Sequence, residues 1–409
     1  MYDKNTDARR KAYKEYSNDR IPEDALNSQN VFTPYDLCYD IIRKLESKTD
    51  LIDKDILIFN LEFAEILIHD FGVSPERIAF WTDCDEKRKF AQLMYKGIKH
   101  HRVEFNRESI EIMKKNAKEK NKFDVVVGNP PYQANVKNTE RKGGNVSCGN
   151  TIWEYFVKIA LDIVREKGYI CFVHPPRWRK PGSKDGLFPV FQKNNLLYLN
   201  INDKVSGKKV FGATTRYDWY ILQKTGYEKS TIVVDESNEG KVCDISSLPF
   251  IPNSINVFNI LSKICCEIEV GKSCPVIYSS SIYDPRKEWM SRIETGRFKN
   301  PCVHSIYQNK EIKFCYSRIK SKGHFGIPKV IFADNEKIHD VIIDFEGKYG
   351  LTCHSIGIEI DSESEGQKLR KAMLSDKFRD LIAATKWGNF QTDWKMFRYF
   401  KKDFWKEFV

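Results

Sequence analysis

Apolar and polar positions alternate along the first half of the chain in a repeating unit. The apolar run DILIFN (55–60) reads as a buried strand, and LEFAEILIHDFG carries apolar residues at helical spacing up to a terminating Gly72. RIAFWTD (77–83) and the helical DEKRKFAQLMYKG repeat the unit. HHRVEFN (100–106), SIEIMKKNAKEKN and FDVVVGN (123–129) predict a third strand, a third helix and a fourth strand. The helix TIWEYFVKIALDIVREKG, with Trp153, Phe156, Val157, Ala160 and Val164 on one face, and the strand YICFVHP (169–175) extend the series. KKVFGATTRYDWYILQK (208–224) alternates as paired strands at the far sheet edge. Strands alternating with amphipathic helices predict a doubly wound, mainly parallel α/β sheet.

The flanks differ. Residues 1–30 are polar and read as an arm or a short leading helix, after which VFTPYDLCYDIIRKL predicts a helix with Thr33 as cap, Pro34 at the first helical position and Asp36 at the positive dipole end. From residue 236 the rhythm stops. PVIYSSSIYD, KVIFADN and DVIIDF are short strand-like pieces, and KWGNFQTDWKMFRYFKKDFWKEFV reads equally as a basic, aromatic stretch suited to nucleic acid and as an amphipathic terminal helix burying Trp394, Phe397 and Phe400. A chain of 409 residues exceeds what one core usually supports. The organisation predicted is an arm at 1–30, an α/β domain at 31–235 and an α+β domain at 236–409.

Composition narrows the class. With 41% hydrophobic and 30% charged residues, large-scale disorder is excluded. No apolar run approaches the ~20 residues that cross a bilayer, and the charged N-terminus lacks a signal-peptide core, so a cytoplasmic location is expected. Eleven cysteines without a CxxC pair read as reduced thiols rather than structural zinc. A formal charge of +11 suits a polyanionic partner, and suits a solvated basic surface as well.

The chemistry sits in DVVVGNPPYQ (124–133), where the fourth strand ends. Ligands of open α/β sheets bind outside the carboxyl ends of the strands. The Asn129 side-chain oxygen and the Pro130 carbonyl can accept hydrogens from an exocyclic amine, Pro130 and Pro131 restrict the backbone, and Tyr132 offers a flat face to a base. The plain alternative is a proline-rich strand exit, with Asn129 bonded to its own backbone and Tyr132 in the core.

DVVVGNPPYQ, preceded by FTP, resembles the S-adenosylmethionine-dependent DNA adenine-N6 methyltransferases of the gamma group, including the methylases of restriction-modification systems. The resemblance covers about residues 30–225. It implies a Rossmann-like methyltransferase sheet, a C-terminal target-recognition domain, S-adenosylmethionine as cofactor, double-stranded DNA as partner, an adenine flipped out of the duplex, and no metal. It assigns Asn129, Pro130, Pro131 and Tyr132 to catalysis, and Phe32, Thr33 and Pro34 to the methionine end of the cofactor. Asp83, with Asp85 competing, falls at the ribose hydroxyls, and Phe105 or Asn106 at the cofactor adenine. Phe211 matches a second aromatic over the flipped base, and Trp178 lines the target cleft.

One departure stands out. The family's first strand leads into an acid and a glycine-rich turn, whereas this chain has ILIFNLEFAEIL and no glycine between Ile56 and Phe71. Phe59, Asn60 and Glu62 occupy the turn, which leaves two readings open: Asn60 and Glu62 hold the cofactor with side chains, or a degenerate fold binds DNA without transferring methyl. An NPPY enzyme acting on RNA or on a protein glutamine is a third. The Glu-x-Lys dyads of a nuclease occur in NEGK (238–241) and DFEGK (344–348), but both read as turns. The expectation is a stand-alone modification enzyme, with a separate restriction endonuclease as an optional partner. RIKSKGHFGIPK (318–329), with Arg318, Lys320 and Lys322, is the candidate DNA recognition loop.

Overall fold

The computed structural model describes residues 7–12, 15, 32–105, 122–132, 151–182, 186–335, 337–388 and 392–409. The chain divides into two compact units, Met1–Pro176 with Asp185–Asp244, and Arg177–Lys184 with Ile245–Val409. The third predicted helix lies outside the described residues.

In the first unit, helix α1 (Tyr35–Glu46) precedes β1 (Ile56–Ile58), α2 (Leu61–His69), β2 (Ile78–Thr82), α3 (Asp85–Met94), β3 (Lys99–Arg102) and β4 (Phe123–Gly128). Helix α4 (Trp153–Ile163), β5 (Val164–His174), α5 (Leu187–Lys193), β6 (Asn194–Asn202), α6 (Lys204–Phe211), β7 (Tyr217–Gly226), β8 (Thr231–Val234) and β9 (Gly240–Cys243) follow. Among the described residues these strands form one nine-stranded sheet in the order β3-β2-β1-β4-β5-β7-β6-β8-β9. Strands β1 to β5 pair in parallel and β7 runs antiparallel to both its neighbours, β5 and β6. This is the doubly wound, Rossmann-like arrangement that the alternation predicts.

Central strands of a parallel sheet are covered on both faces, and β1 and β2 are buried at every residue. On one face Leu37, Cys38, Ile41, Ile42 and Leu45 of α1 recur at helical spacing and pack with Phe63, Ile66 and Leu67 of α2 against Ile56, Ile58, Val125 and Val127. The strand order reverses between β1 and β4. Residues 59–60 and 129 leave the sheet side by side at that switch point, where such folds place ligands.

The structure corrects several boundaries. Helix α4 stops at Ile163, and Val164 belongs to β5, because Arg165 is drawn to Asp124 (2.7 Å) and Asp55 (3.0 Å) beside the starts of β4 and β1. KKVFGATTRYDWYILQK is not a strand pair at the edge. Its first part closes α6, where Asp203 accepts the Ser206 N–H at 2.8 Å and Gly212 ends the helix with φ +70°. Only β7 is a strand, and it lies inside the sheet. The sheet runs on through β8 and β9 to Cys243.

The second unit contains α7 (Phe258–Ile264), β10 (Val276–Ile277), β11 (Met290–Ser291), β12 (Asn300–Ile306), β13 (Ile312–Ser317) and β14 (Lys329–Ala333). It continues with β15 (Ile342–Asp344), β16 (Gly350–Leu351), β17 (Ser355–Glu359), α8 (Glu363–Met373) and α9 (Asp376–Ala384). Two four-stranded sheets, β10-β17-β14-β15 and β11-β13-β12-β16, contribute Val303, Ile306, Ile331, Ala333 and Leu351 to one apolar cluster. The aromatic terminus forms 3-10 turns at Trp394–Tyr399 and Phe404–Glu407 rather than a long helix, with Phe397, Phe400 and Phe404 buried and Trp394 stacked on Tyr278 at 4.7 Å. The ten described cysteines are free, and no helix among the described residues is long and apolar enough to cross a membrane.

One charged pair lies inside the second unit. Lys329 Nζ sits 2.6 Å from Asp344 Oδ2 with both side chains buried, and burial pulls the Lys329 pKa down. Asp344 also accepts the N–H groups of Lys348 (2.7 Å) and Tyr349 (3.0 Å). Lys329→Met strands the carboxylate, so the variant is expected to lose about 3–5 kcal/mol, read from the denaturant midpoint of the full chain. An unshifted midpoint would contradict the pairing.

Candidate functional site

The site begins where β1 and β4, paired at Ile58 and Val127, leave the sheet. Gly128 matters by what it lacks: a Cβ there would stand 2.9 Å from Phe59 Cβ and 3.2 Å from Asn60 Oδ1. The space lets Asn60 reach across, and its Oδ1 accepts the Asn129 backbone N–H at 2.7 Å. Asn129 Nδ2 in turn donates to Thr33 Oγ1 at 3.3 Å. Thr33, Asn60 and Asn129 are all buried. FTP, the glycine-free turn and NPPY are thereby joined by two hydrogen bonds.

This corrects the expected cap. Helix α1 starts at Tyr35, Pro34 takes the cap position without a side-chain bond, and the Thr33 hydroxyl serves Asn129 instead. With its amide nitrogen on Thr33, the Asn129 oxygen has no donor among the described residues. Pro130 and Pro131 are buried, Tyr132 is half-buried, and the Tyr132 carbonyl accepts the Ile152 N–H at 3.0 Å. Burial, reinforced by Tyr217 and Asp218, pushes the Tyr132 phenol far above its ordinary pKa, so its ring stays neutral.

The expected cofactor residues divide into two groups. Phe59 is 4% exposed, and its ring meets those of Trp81 (6.2 Å), Phe105 (6.2 Å), Phe156 (5.3 Å) and Phe172 (5.8 Å). Phe105 is 5% exposed and packs on Phe156 at 5.2 Å. Neither ring keeps an open face, so the structure turns these two from ligand surface into core. Asn106 lies outside the described residues. Phe32 is exposed, with its ring edge-on to Tyr35.

Glu62 has a different character. It opens α2 with 2% of its surface exposed, and burial pushes its carboxyl above the ordinary value against the pull of Lys87 and the backbone N–H groups of Glu62 and Thr33. Among the described residues its Oε2 has no hydrogen-bond partner. A buried carboxyl beside Thr33 with one oxygen unpaired has the chemistry to attract a cation, as the pull of Lys87 on it shows, and the amino-acid end of S-adenosylmethionine carries an ammonium. The donor set therefore fits that end of the cofactor. Asp83 is half-buried just past β2, whereas Asp85 is committed to Arg88 (3.0 Å) and Arg102 (2.7 Å).

Phe211, at the end of α6 rather than in a strand, is half-buried and meets Tyr217 edge-on at 4.9 Å. Tyr217, a neighbour that the sequence reading passed over, was signalled only by the alternation in RYDWYIL. Trp178 is fully buried and belongs to the second unit, so it offers no face to a base. Its segment is held there by Arg179, whose guanidinium donates to the Ile251 and Pro252 carbonyls (3.0 and 3.1 Å) and to Asn253 Oδ1 (2.9 Å).

Arg318, Lys320 and Lys322 are exposed, with Lys322 Nζ 4.5 Å from the Trp289 ring centre, Lys320 Nζ 5.6 Å from that of Phe325, and Arg318 paired to Glu288 at 3.3 Å. The dyad in DFEGK is a surface pair, Lys348 to Glu346 at 2.7 Å, about a turn at Gly347.

Residues 51–211 match the Eco57I restriction-modification methylase family. That stretch contains NPPY, and over it the chain is similar to the restriction-modification methylases. No curated protein matches. Among solved structures the chain is similar to the type IIL enzyme MmeI in complex with DNA (10% identity, 89% of this chain and 64% of that one, TM-score 0.48). It is also similar to the type IIG restriction endonuclease BpuSI (10%, 93% and 61%, 0.43). A third is a type I restriction-modification methyltransferase subunit from Streptococcus thermophilus (12%, 54% and 52%, 0.38). The chain spans about half the length of several such subunits.

Glu62 yields a pH prediction. Its folded pKa lies above the ordinary 4.5, so the native state disfavours the charged form and the group costs stability above that pH. Glu62→Gln is expected to stabilise the fold at neutral pH. The gain should shrink as pH falls through the window above 4.5 and vanish below it, in unfolding midpoints measured across pH. A gain independent of pH would refute the assignment.

Proposed function

We propose that the chain is a DNA adenine-N6 methyltransferase using S-adenosylmethionine. The observation that carries this reading is the mounting of Asn129: backbone on Asn60, amide nitrogen on Thr33, side-chain oxygen without a donor among the described residues. The adenine N6 lone pair is delocalised into the ring and attacks poorly. Asn129 Oδ1 and the Pro130 carbonyl accept its two hydrogens, which localises the lone pair and aims it away from the acceptors. Tyr132, kept neutral, stacks on the flipped base for about 1–3 kcal/mol against an extrusion cost of a few kcal/mol.

When bound, S-adenosylmethionine supplies a methyl group on a sulfonium, which leaves with the bonding pair as a neutral thioether. Glu62 and Thr33 would hold its ammonium end and Asp83 its ribose hydroxyls. The amine proton is lost after transfer, when the nitrogen has become strongly acidic, so no side chain need act as base. For the DNA, the second unit exposes Arg292, Arg297, Lys299, Lys313, Lys320 and Lys322, with no ion-pair partner among the described residues. Such cations suit phosphates.

A second reading, DNA binding without transfer, draws on the aromatic packing of Phe59 and Phe105. Calorimetry with S-adenosylmethionine separates the two. The parent is expected to bind and Glu62→Gln to bind at least tenfold more weakly, whereas absence of heat at millimolar cofactor rules out the enzyme.

Labelled methyl is expected on a DNA oligonucleotide and not on RNA or protein controls. Asn129→Ala should abolish that transfer with DNA affinity unchanged. Transfer at the parental rate would remove Asn129 from the mechanism.

A further inference from the structure

On the face of the first sheet that α1 covers, the core runs on to Tyr198 of β6 and Tyr217, Trp219 and Ile221 of β7, and the positions beside them are polar. Leu199 and Ile201 of β6 are buried and face the other way, while Tyr198, Asn200 and Asn202 line the α1 side. An apolar cover over this strand would call for apolar residues at 200 and 202. Two amides stand there instead, Asn202 Nδ2 donating to Asn200 Oδ1 at 2.7 Å. With Trp219 of β7 they floor a groove of about 770 Å³, walled by α1 and α6. That volume lies within the ~300–1,000 Å³ of small-ligand sites.

Charge is graded along the groove. Asp36 and Asp40 line it from the first half of α1, Arg43 and Lys44 from the second half, and Lys209 adds a cation from α6. Lys44 Nζ stands 4.5 Å from the Tyr198 ring centre. Asp36 and Lys44 are about 12 Å apart along the helix axis, at 1.5 Å per residue. A phosphate at the basic end, a sugar 3′-hydroxyl at the acidic end and a base edge on the amide pair match a nucleotide in polarity. The acidic end is closed by Pro34, next in sequence to the Thr33 that holds Asn129. Tyr217 lines the groove as well and packs edge-on to Phe211.

From this juxtaposition we infer that the groove between α1 and β6 is a second nucleotide-binding site, adjoining the base site at Asn129 and distinct from it. The chemistry is shared by a free nucleoside 5′-monophosphate and by the 3′-terminal nucleotide of a DNA strand, each with a 5′-phosphate and a free 3′-hydroxyl. Binding there does not depend on methyl transfer, so its failure is separable from failure of the proposed activity.

The full chain is titrated calorimetrically, without cofactor, with thymidine 5′-monophosphate and with a single-stranded thymidine trinucleotide. Neither probe contains adenine, so the Asn129 site does not compete. At least one probe is expected to bind, and Lys209→Glu and Asn200→Leu are each expected to weaken it tenfold or more. Equal affinity for the two probes identifies the free nucleotide, and a tenfold preference for the trinucleotide identifies the strand. Absence of binding by both probes, or a change below threefold in Lys209→Glu, overturns the inference. Lys209 is exposed, so that variant decides the matter if thermal melts show Asn200→Leu to be unfolded.

Discussion

The hydrogen bond from the Asn129 N–H to Asn60 Oδ1 is the constraint on which the site depends. It closes across two strand ends that are neighbours in the sheet and 69 residues apart in sequence. A buried amide left without its acceptor costs about 1–3 kcal/mol, more than the ~1 kcal/mol net worth of the bond. The bond exists because Gly128 has no side chain and because residue 60 carries a short amide. Once it is made, the NPPY backbone is fixed, and Asn129 Nδ2 has Thr33 as its partner. Three stretches that look independent in the sequence are one polar assembly in the fold.

The same bond explains the electrostatics of the glycine-free turn. Glycines in a turn after the first strand bring backbone N–H groups close to a ligand and suit anions, as helix N-termini do. Here the turn commits Asn60 to protein and Phe59 to an aromatic cluster, then places Glu62 in the first turn of α2. An acid there is favoured by the helix dipole, which offsets part of its burial. The polarity is opposite to that of a phosphate cradle. Such a site attracts positive charge, as the pull of Lys87 on Glu62 shows, and the proposed cofactor carries an ammonium and a sulfonium.

Much of the fold was legible because its signals are local. Periodicity located β1, α2, β2, α3 and β4 within one to three residues, since buried parallel strands and amphipathic helices write their burial directly into sequence, whereas the largely exposed β3 ends four residues before the stretch expected for it. Errors arose where a tertiary contact overrode local pattern. Arg165 pulled Val164–Lys167 into β5, and α6 was missed although Asp203 and Gly212 bracket it in the way helix caps do. In the site, NPPY and FTP were readable as motifs, but the Thr33–Asn129 bond was not, because a threonine before a proline is equally a cap. Phe59 and Phe105 became core for a reason that no single stretch contains: five aromatics from different elements meet in one cluster.

Strand β7 shows why topology gathers more at this end of the sheet than the NPPY loop alone would. A parallel strand presents its carboxyl end there, but β7 runs antiparallel, with Tyr217 opposite Asn202 and Asp218 opposite both Ile201 and His174. Its first residues therefore lie at the edge where β5 and β6 finish. That reversal carries Tyr217 toward Tyr132 and sets Trp219 beside the amides of β6. An all-parallel sheet would have put the start of β7 at the far end, and neither the aromatic neighbour of the base site nor the floor of the adjoining groove would form.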